Sequence, residues 1–193
     1  VAVVVKTLHG KVKVRLIHDL RRNGTNGKIR LQERLVLPRL RDVIDGALRL
    51  MGQRGPDEQV EFLVLDFKDA FKMIHVHHKE RRYLSGMAMG GYFVYRTVLF
   101  GVGSGPLVWG RVAAWVSRST QAMFRHGEAM LNCFVDDPIL ATKGTGTERR
   151  QVAKVVLLWW CILGCNLSYA KGQFGTEVES IGAKVEADIV RAK

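Results

Sequence analysis

Ala129-Met130-Leu131-Asn132-Cys133-Phe134-Val135-Asp136-Asp137-Pro138-Ile139-Leu140-Ala141 is the stretch on which the reading of this chain turns. It is apolar on both flanks and broken in the middle by two adjacent acids. That pattern predicts a β-hairpin with Asp136 and Asp137 at its tip. Like charges crowded at the edge of a core are costly unless a cation neutralises them. Hard carboxylate oxygens suit Mg²⁺ or Mn²⁺. An Asp pair alone is a weak signal, so its weight depends on what surrounds it.

Outward from the hairpin, other elements take shape. Val60 to Phe67 reads as an apolar strand containing a third strand-end acid, Asp66. Met87 to Leu99 predicts a hairpin around Gly90-Gly91, and Gly101 to Pro106 a glycine-rich turn. Leu107 to Phe124 predicts a helix with Val108, Val112, Trp115 and Met123 on its buried side. Thr145 and Glu148 form a possible capping box for a helix running to Leu163, with Gly164 as its stop. A last strand is expected around Glu179 to Val185. Upstream, Val1 to Val5 and Val12 to His18 read as strands, Arg22 to Gly27 as a loop, and Pro38 as the start of a helix through Met51. The order of strands and helices is that of an α+β fold with an antiparallel sheet.

Composition narrows the function. The 193 residues are 47% hydrophobic and 25% charged, an ordinary globular balance. Thirty Lys and Arg against 18 Asp and Glu give a net charge of +12, which points to a polyanionic partner. Three cysteines are too few for a disulfide framework, and Cys161 and Cys165 read as buried thiols. No apolar run is long enough to span a bilayer, and no signal peptide is evident. An intracellular protein, neither secreted nor membrane-bound, is expected. The missing initiator Met suggests a piece of a longer protein. His75, His77 and His78 lack a further ligand at metal spacing and are expected to be exposed. Asp19 and Arg21 are expected to pair, and the four tryptophans to pack in cores.

Several segments, in the right order along the chain, carry a family resemblance. Leu65-Asp66-Phe67-Lys68-Asp69-Ala70-Phe71 resembles the first catalytic motif of reverse transcriptases, and Phe134-Val135-Asp136-Asp137 their aromatic-x-Asp-Asp motif. Phe100-Gly101-Val102-Gly103-Ser104-Gly105-Pro106 resembles the motif between them in retrotransposon enzymes. Leu163-Gly164, Leu167-Ser168, Lys171 and Phe174-Gly175 resemble the next motif, and Ile181-Gly182 stands where a primer-grip strand begins. Arg15 to Arg21 and Leu37-Pro38-Arg39 resemble the segment ahead of the palm.

The resemblance implies a polymerase palm, an antiparallel sheet with packed helices on an RRM- or ferredoxin-like core, together with a fingers subdomain. It implies fingers at 1–59 and 76–99, palm at 60–75 and 100–193, and a thumb outside this chain. It implies an RNA-templated DNA polymerase working by two-metal nucleotidyl transfer, with Asp66, Asp136, Asp137 and Lys171 catalytic. Two Mg²⁺ or Mn²⁺ ions would be held by Asp66, Asp136, Asp137 and the carbonyl of Phe67. Arg15, Asp69, Ala70, Phe71, Phe100 and Gly101 would meet the deoxynucleotide, with Lys11 or Lys13 assisting. The Phe71 ring would exclude a 2′-hydroxyl. Gly103, Pro106, Phe134, Ile181 and Gly182 would contact template or primer. Expected partners are an RNA template, a DNA or RNA primer, dNTPs, and the thumb, ribonuclease H and integrase regions of a longer polyprotein. Pro138 departs from the pattern, and its missing N–H bears on whether the hairpin closes. Two alternatives stand beside this reading: a catalytically silent module that only binds nucleic acid, and an RNA-dependent RNA polymerase, disfavoured by Phe71.

Overall fold

A computed structural model describes residues 2–8 and 11–187. Of strands β1 (Ala2–Leu8) and β2 (Lys11–Ile17), the side chains of Lys11, Lys13 and Arg15 lie outside the described residues, although Arg15 pairs with Val4 in the ladder. The remaining elements are α1 (Thr25–Lys28), α2 (Leu40–Gly52), β3 (Gln59–Val64), β4 (Ser85–Ala88), β5 (Gly91–Val94), α3 (Gly105–Gln121), β6 (Ala129–Phe134), β7 (Asp137–Gly144), α4 (Gly146–Ile162), β8 (Gln173–Gly175), β9 (Glu177–Ser180) and β10 (Ala183–Glu186). The chain divides into two compact units: Val1–Leu35 with Asp69–Trp109, and Val36–Lys68 with Gly110–Lys193. The fold is mixed α+β with antiparallel sheets, as the sequence pattern predicts.

The second unit is built on a four-stranded antiparallel sheet in the order β6-β7-β3-β8. β3 lies inside it and alternates between two buried faces. Val60, Phe62 and Val64 pack with Val43, Ala47 and Leu50 of α2 and with Val178 and Val185 of the β9–β10 hairpin. On the other face Glu61 meets Arg149 of α4, and Phe67, just past the strand, packs on Trp160 with ring centroids 5.2 Å apart. The start of α4 is the one the sequence predicts: Thr145 and Glu148 form a reciprocal capping box. The helix ends as Gly164 turns left-handed at φ 72°, with the Gly164 and Cys165 amides bonded back to Cys161 and Trp160.

Several expectations are corrected. The buried stripe of α3 is Trp109, Ala113, Val116 and Thr120, whereas Trp115 and Met123 are exposed. Both stripes are apolar with helical spacing, so periodicity alone chose the wrong one. The hydroxyl of Thr120 accepts the Trp160 indole N–H at 2.8 Å and donates to the Val116 carbonyl, which makes that polar residue a core residue. Glu179 to Val185 is not one strand: Ile181 and Gly182, at φ 53° and 73°, form the turn between β9 and β10. The β4–β5 turn is Met89-Gly90, one residue earlier than expected. Cys161 is exposed at the end of α4 rather than buried. Asp19 and Arg21 do pair, through the backbone: the Arg21 and Arg22 amides both donate to the Asp19 carboxylate, which caps a turn.

The first unit has its own small core of Leu20, Leu84, Val98, Leu99 and Val102, against which Phe71, Ile74 and Tyr95 pack. His75, His77 and His78 are exposed, as expected. Among the described residues no helix is long and apolar enough to cross a membrane.

Candidate active site

The ladder between β3 and β7 carries on past the end of β3. Leu65 donates to the Pro138 carbonyl at 3.3 Å and Phe67 to the Asp136 carbonyl at 2.8 Å. On the other side, Ser168 donates to the Asp66 carbonyl and Lys68 to that of Asn166, and Phe67 bridges to Leu167. Asp66 is therefore fixed between two backbone segments from opposite directions. β6 and β7 pair with Phe134 opposite Asp137, leaving Val135 and Asp136 as a two-residue turn. Val135 sits at φ 56°, an unfavourable region for a β-branched residue. Asp136 and Asp137 thus stand at the hairpin tip, as the sequence predicts, and the ladder brings them beside Asp66.

Pro138 is accommodated at a specific loss. Residues 65 and 138 face one another as a hydrogen-bonded pair, in which each normally donates to the other. The Leu65 amide donates, and proline has no N–H with which to reciprocate. The bond is missing from the β3–β7 ladder; within the β6–β7 hairpin Pro138 faces Cys133 at a non-hydrogen-bonded position, so the hairpin itself loses none.

The electrostatics follow from this geometry. Burial pushes the Asp137 carboxyl above the usual range, and the charges of Asp136 and Asp66 push it further in the same direction, while Lys171 opposes them. The Lys171 ammonium lies 2.8 Å from Asp66 Oδ2, and the Asp66 side chain is only 16% exposed. Burial and the charges of Asp136 and Asp137 raise the Cys133 thiol to about 12. The donor set is hard, anionic and self-repelling, which suits divalent cations, and the lysine on Asp66 already supplies part of that neutralisation. Among the described residues no three His, Cys, Asp or Glu side chains are grouped closely enough to hold a metal as they stand.

Of the other expected residues, Asp69, Ala70, Phe71, Phe100, Gly101, Gly103 and Pro106 fall in the first unit, and Phe134, Ile181 and Gly182 in the second. Asp69 is left-handed at φ 55° and pairs with Lys72 at 2.9 Å. Ala70 is buried, and Phe71 packs edge-on against Phe100, centroids 5.3 Å apart. Gly101 has φ 110°, and a Cβ there would lie 2.2 Å from the His18 carbonyl oxygen. The close approach that demands glycine is thus to His18. Asn26 clamps this loop, donating to the Gly101 carbonyl at 2.8 Å and accepting from the Gly103 amide at 2.9 Å. In the sequence Asn26 stands in a plain loop segment, and nothing beside it signals this role. Pro106 is exposed in the first turn of α3, Phe134 is half-buried beside the turn acids, and Ile181 and Gly182 are exposed in their own turn.

A family model described as reverse transcriptase (RNA-dependent DNA polymerase) matches residues 22–185. The chain belongs to the reverse transcriptase family. No curated protein matches it in sequence. Among solved structures it is similar to the foamy viral protease-reverse transcriptase in complex with double-stranded DNA, at 16% identity and TM-score 0.73, covering 99% of this chain and 30% of that one. The foamy viral protease-reverse transcriptase with an RNA/DNA hybrid gives 14% identity and TM-score 0.65, with coverage of 91% and 21%. A prototype foamy virus protease-reverse transcriptase mutant gives 15% and 0.68, with coverage of 95% and 22%. These identities establish a shared fold, and this reverse transcriptase chain spans less than a third of each of those proteins.

Proposed function

We propose that the chain is the part of an RNA-templated DNA polymerase, from a retroelement of the retrotransposon type, that extends a primer 3′-hydroxyl with deoxynucleotides. The observation that carries this reading is the junction of the β3 extension with the β6–β7 turn, where Asp66, Asp136 and Asp137 meet beside Lys171. Asp66 and Asp136, with Asp137 and the Phe67 carbonyl, would hold two Mg²⁺ or Mn²⁺ ions. Such ions lower the pKa of the primer hydroxyl and neutralise charge building on the phosphates.

The remaining roles belong to the chain itself. Lys171, already directed at Asp66, is suited to hand a proton to the departing pyrophosphate. The amides of Asp69 and Ala70 and the guanidinium of Arg15 would bind the triphosphate. Phe71, stiffened by Phe100 and the small core beneath it, would leave no room for a 2′-hydroxyl. Gly101 would border the nucleotide, and Gly103, Pro106, Phe134, Ile181 and Gly182 would border the template and primer. In this reading, fingers residues lie at 1–59 and 76–99 and palm residues at 60–75 and 100–193. A thumb and further polyprotein regions, among them ribonuclease H and integrase, would complete the grip on nucleic acid inside the cell. Two of the similar foamy viral proteins were solved with double-stranded DNA and with an RNA/DNA hybrid, which fits such partners here.

A second reading, a catalytically silent module that binds primer–template, rests on Pro138 as a departure from the family pattern directly after the acids. One experiment separates the two: primer extension on RNA with deoxynucleotides and Mg²⁺ or Mn²⁺, using the longer protein that contains this chain and its Asp136→Asn variant. Extension by the parent and none by the variant is expected. Primer–template binding without extension by the parent refutes the polymerase reading and leaves the silent module.

A further inference from the structure

A ring can sort two sugars that differ by one hydroxyl only if it cannot give way. Whatever holds Phe71 in place is therefore part of the selection. Beneath it lies the small core of Leu20, Leu84, Val98, Leu99 and Val102. Beside it stands the Phe100 ring, edge-on with centroids 5.3 Å apart. Phe100 runs directly into Gly101-Val102-Gly103, a span that begins and ends in glycine. Glycine backbone keeps no single conformation by itself, so the span needs a hold from outside.

Asn26 supplies that hold. Its side-chain amide donates to the Gly101 carbonyl at 2.8 Å and accepts from the Gly103 amide at 2.9 Å, so one planar group closes both ends of the span. Its backbone amide donates to the Leu20 carbonyl at 2.9 Å, and the Leu20 amide to the His18 carbonyl at 3.0 Å. That His18 oxygen is the atom on which Gly101 packs. The segment from His18 to Asn26 thus grips the span twice, by close contact at Gly101 and by hydrogen bonds at each end. Val102, between the glycines, is pinned in the small core. All of these groups belong to the first unit. The Asn26 side chain does no work for its own element: α1 has four residues, none of them buried, and no side-chain cap.

We infer that Asn26 is a positioning residue for sugar selection: by fixing Gly101 to Gly103 it holds Phe100 against Phe71 and keeps the nucleotide pocket too narrow for a ribose. The inference rests on the polymerase reading above. Asn26 acts through Phe100, not on the nucleotide. The amide suits the task, because Gly101 needs a donor and Gly103 an acceptor, and asparagine offers both at this length. Aspartate has the same shape but only acceptors when ionised. It keeps the Gly103 bond and sets an oxygen against the Gly101 carbonyl oxygen.

The test compares kcat/KM for a deoxynucleotide and the matching ribonucleotide in primer extension by the longer protein that contains this chain. Partial unfolding lowers both values by one factor and cancels from their ratio. Asn26→Asp should lower the preference for the deoxynucleotide at least about threefold, and by less than Phe71→Val, since the ring is loosened rather than removed. In the Phe71→Val background the same change should add nothing, because no ring remains to be held. Thermal melting reports whether each variant folds. Should Asn26→Asp not fold, Asn26→Ala removes both bonds without adding repulsion and carries the same expectations. An unchanged ratio, even with both values reduced, overturns the inference and leaves Asn26 a folding residue. Failure of both variants to fold has the same meaning. A ratio that falls as far in the Phe71→Val background as in the parent also overturns it, by routing the effect past the ring. A parent that binds primer–template without extending it overturns the polymerase reading first, and this inference with it.

Discussion

Removing Glu61 should destabilise the second unit far more than an ordinary surface change. Arg149 Nε lies 2.7 Å from Glu61 Oε2, and the two side chains are 8% and 19% exposed. The guanidinium also donates to the Gly144 carbonyl. Breaking a buried pair by deleting one partner costs about 3–5 kcal/mol, because the surviving charge is left uncompensated. Glu61 is partly wet and Arg149 keeps Gly144, so the lower end, ~3 kcal/mol, applies to Glu61→Gln. With a urea dependence of ~2 kcal/mol per molar, the midpoint should fall by about 1.5 M. Tryptophan fluorescence is the assay, since Trp160 is buried in this unit. The double change Glu61→Leu with Arg149→Met should recover most of the loss, as apolar replacement of a buried pair is often neutral. A drop for Glu61→Gln below ~0.5 kcal/mol, or single effects that simply add in the double variant, refutes the reasoning.

Three further outcomes are expected. Gly101→Ala should disrupt the first unit by several kcal/mol on the order of a core clash, since its Cβ would meet the His18 carbonyl at a left-handed φ; thermal melting and primer extension both report it. Phe71→Val should raise ribonucleotide incorporation relative to deoxynucleotide by roughly tenfold or more, measured by competing the two in primer extension. The Glu148 carboxylate is held below its ordinary 4.5 chiefly by the Thr145 amide, so its contribution to stability is full above that value and lost as pH falls through the lowered one. Glu148→Gln should therefore flatten the acid limb of the stability profile, as followed by urea midpoints from neutral to acidic pH.

The parts legible in the sequence were those written in local chemistry. The α4 cap and stop were readable because Thr145, Glu148 and Gly164 act on backbone within a few residues. The acids at the β6–β7 tip were readable because two charges inside an apolar run have few other places to go. The misses depend on partners distant in sequence. Asn26 acts on glycines 75 and 77 positions away, and Arg149 on a glutamate 88 positions away. Nothing near either residue announces its role. Trp115 was misjudged for a different reason: α3 has two apolar stripes, and only the neighbouring elements decide which is covered.

Pro138 shows how the sheet can absorb an apparent violation next to the acids. A proline in a central strand removes one bond, yet the Leu65 amide still donates to its carbonyl, and Phe67 to Asp136 one pair further on. The bonds that set the position of the turn acids relative to Asp66 are the donations from the β3 side, and proline leaves those intact. What it removes is the reciprocal bond, which adds strength to the ladder and no new alignment. The fixed φ of the ring meanwhile stiffens the residue immediately after Asp137. Pro138 therefore lowers the stability of the β3–β7 pairing without moving the turn acids. A substitution at 138 that restores the N–H should therefore change the melting temperature more than it changes catalysis.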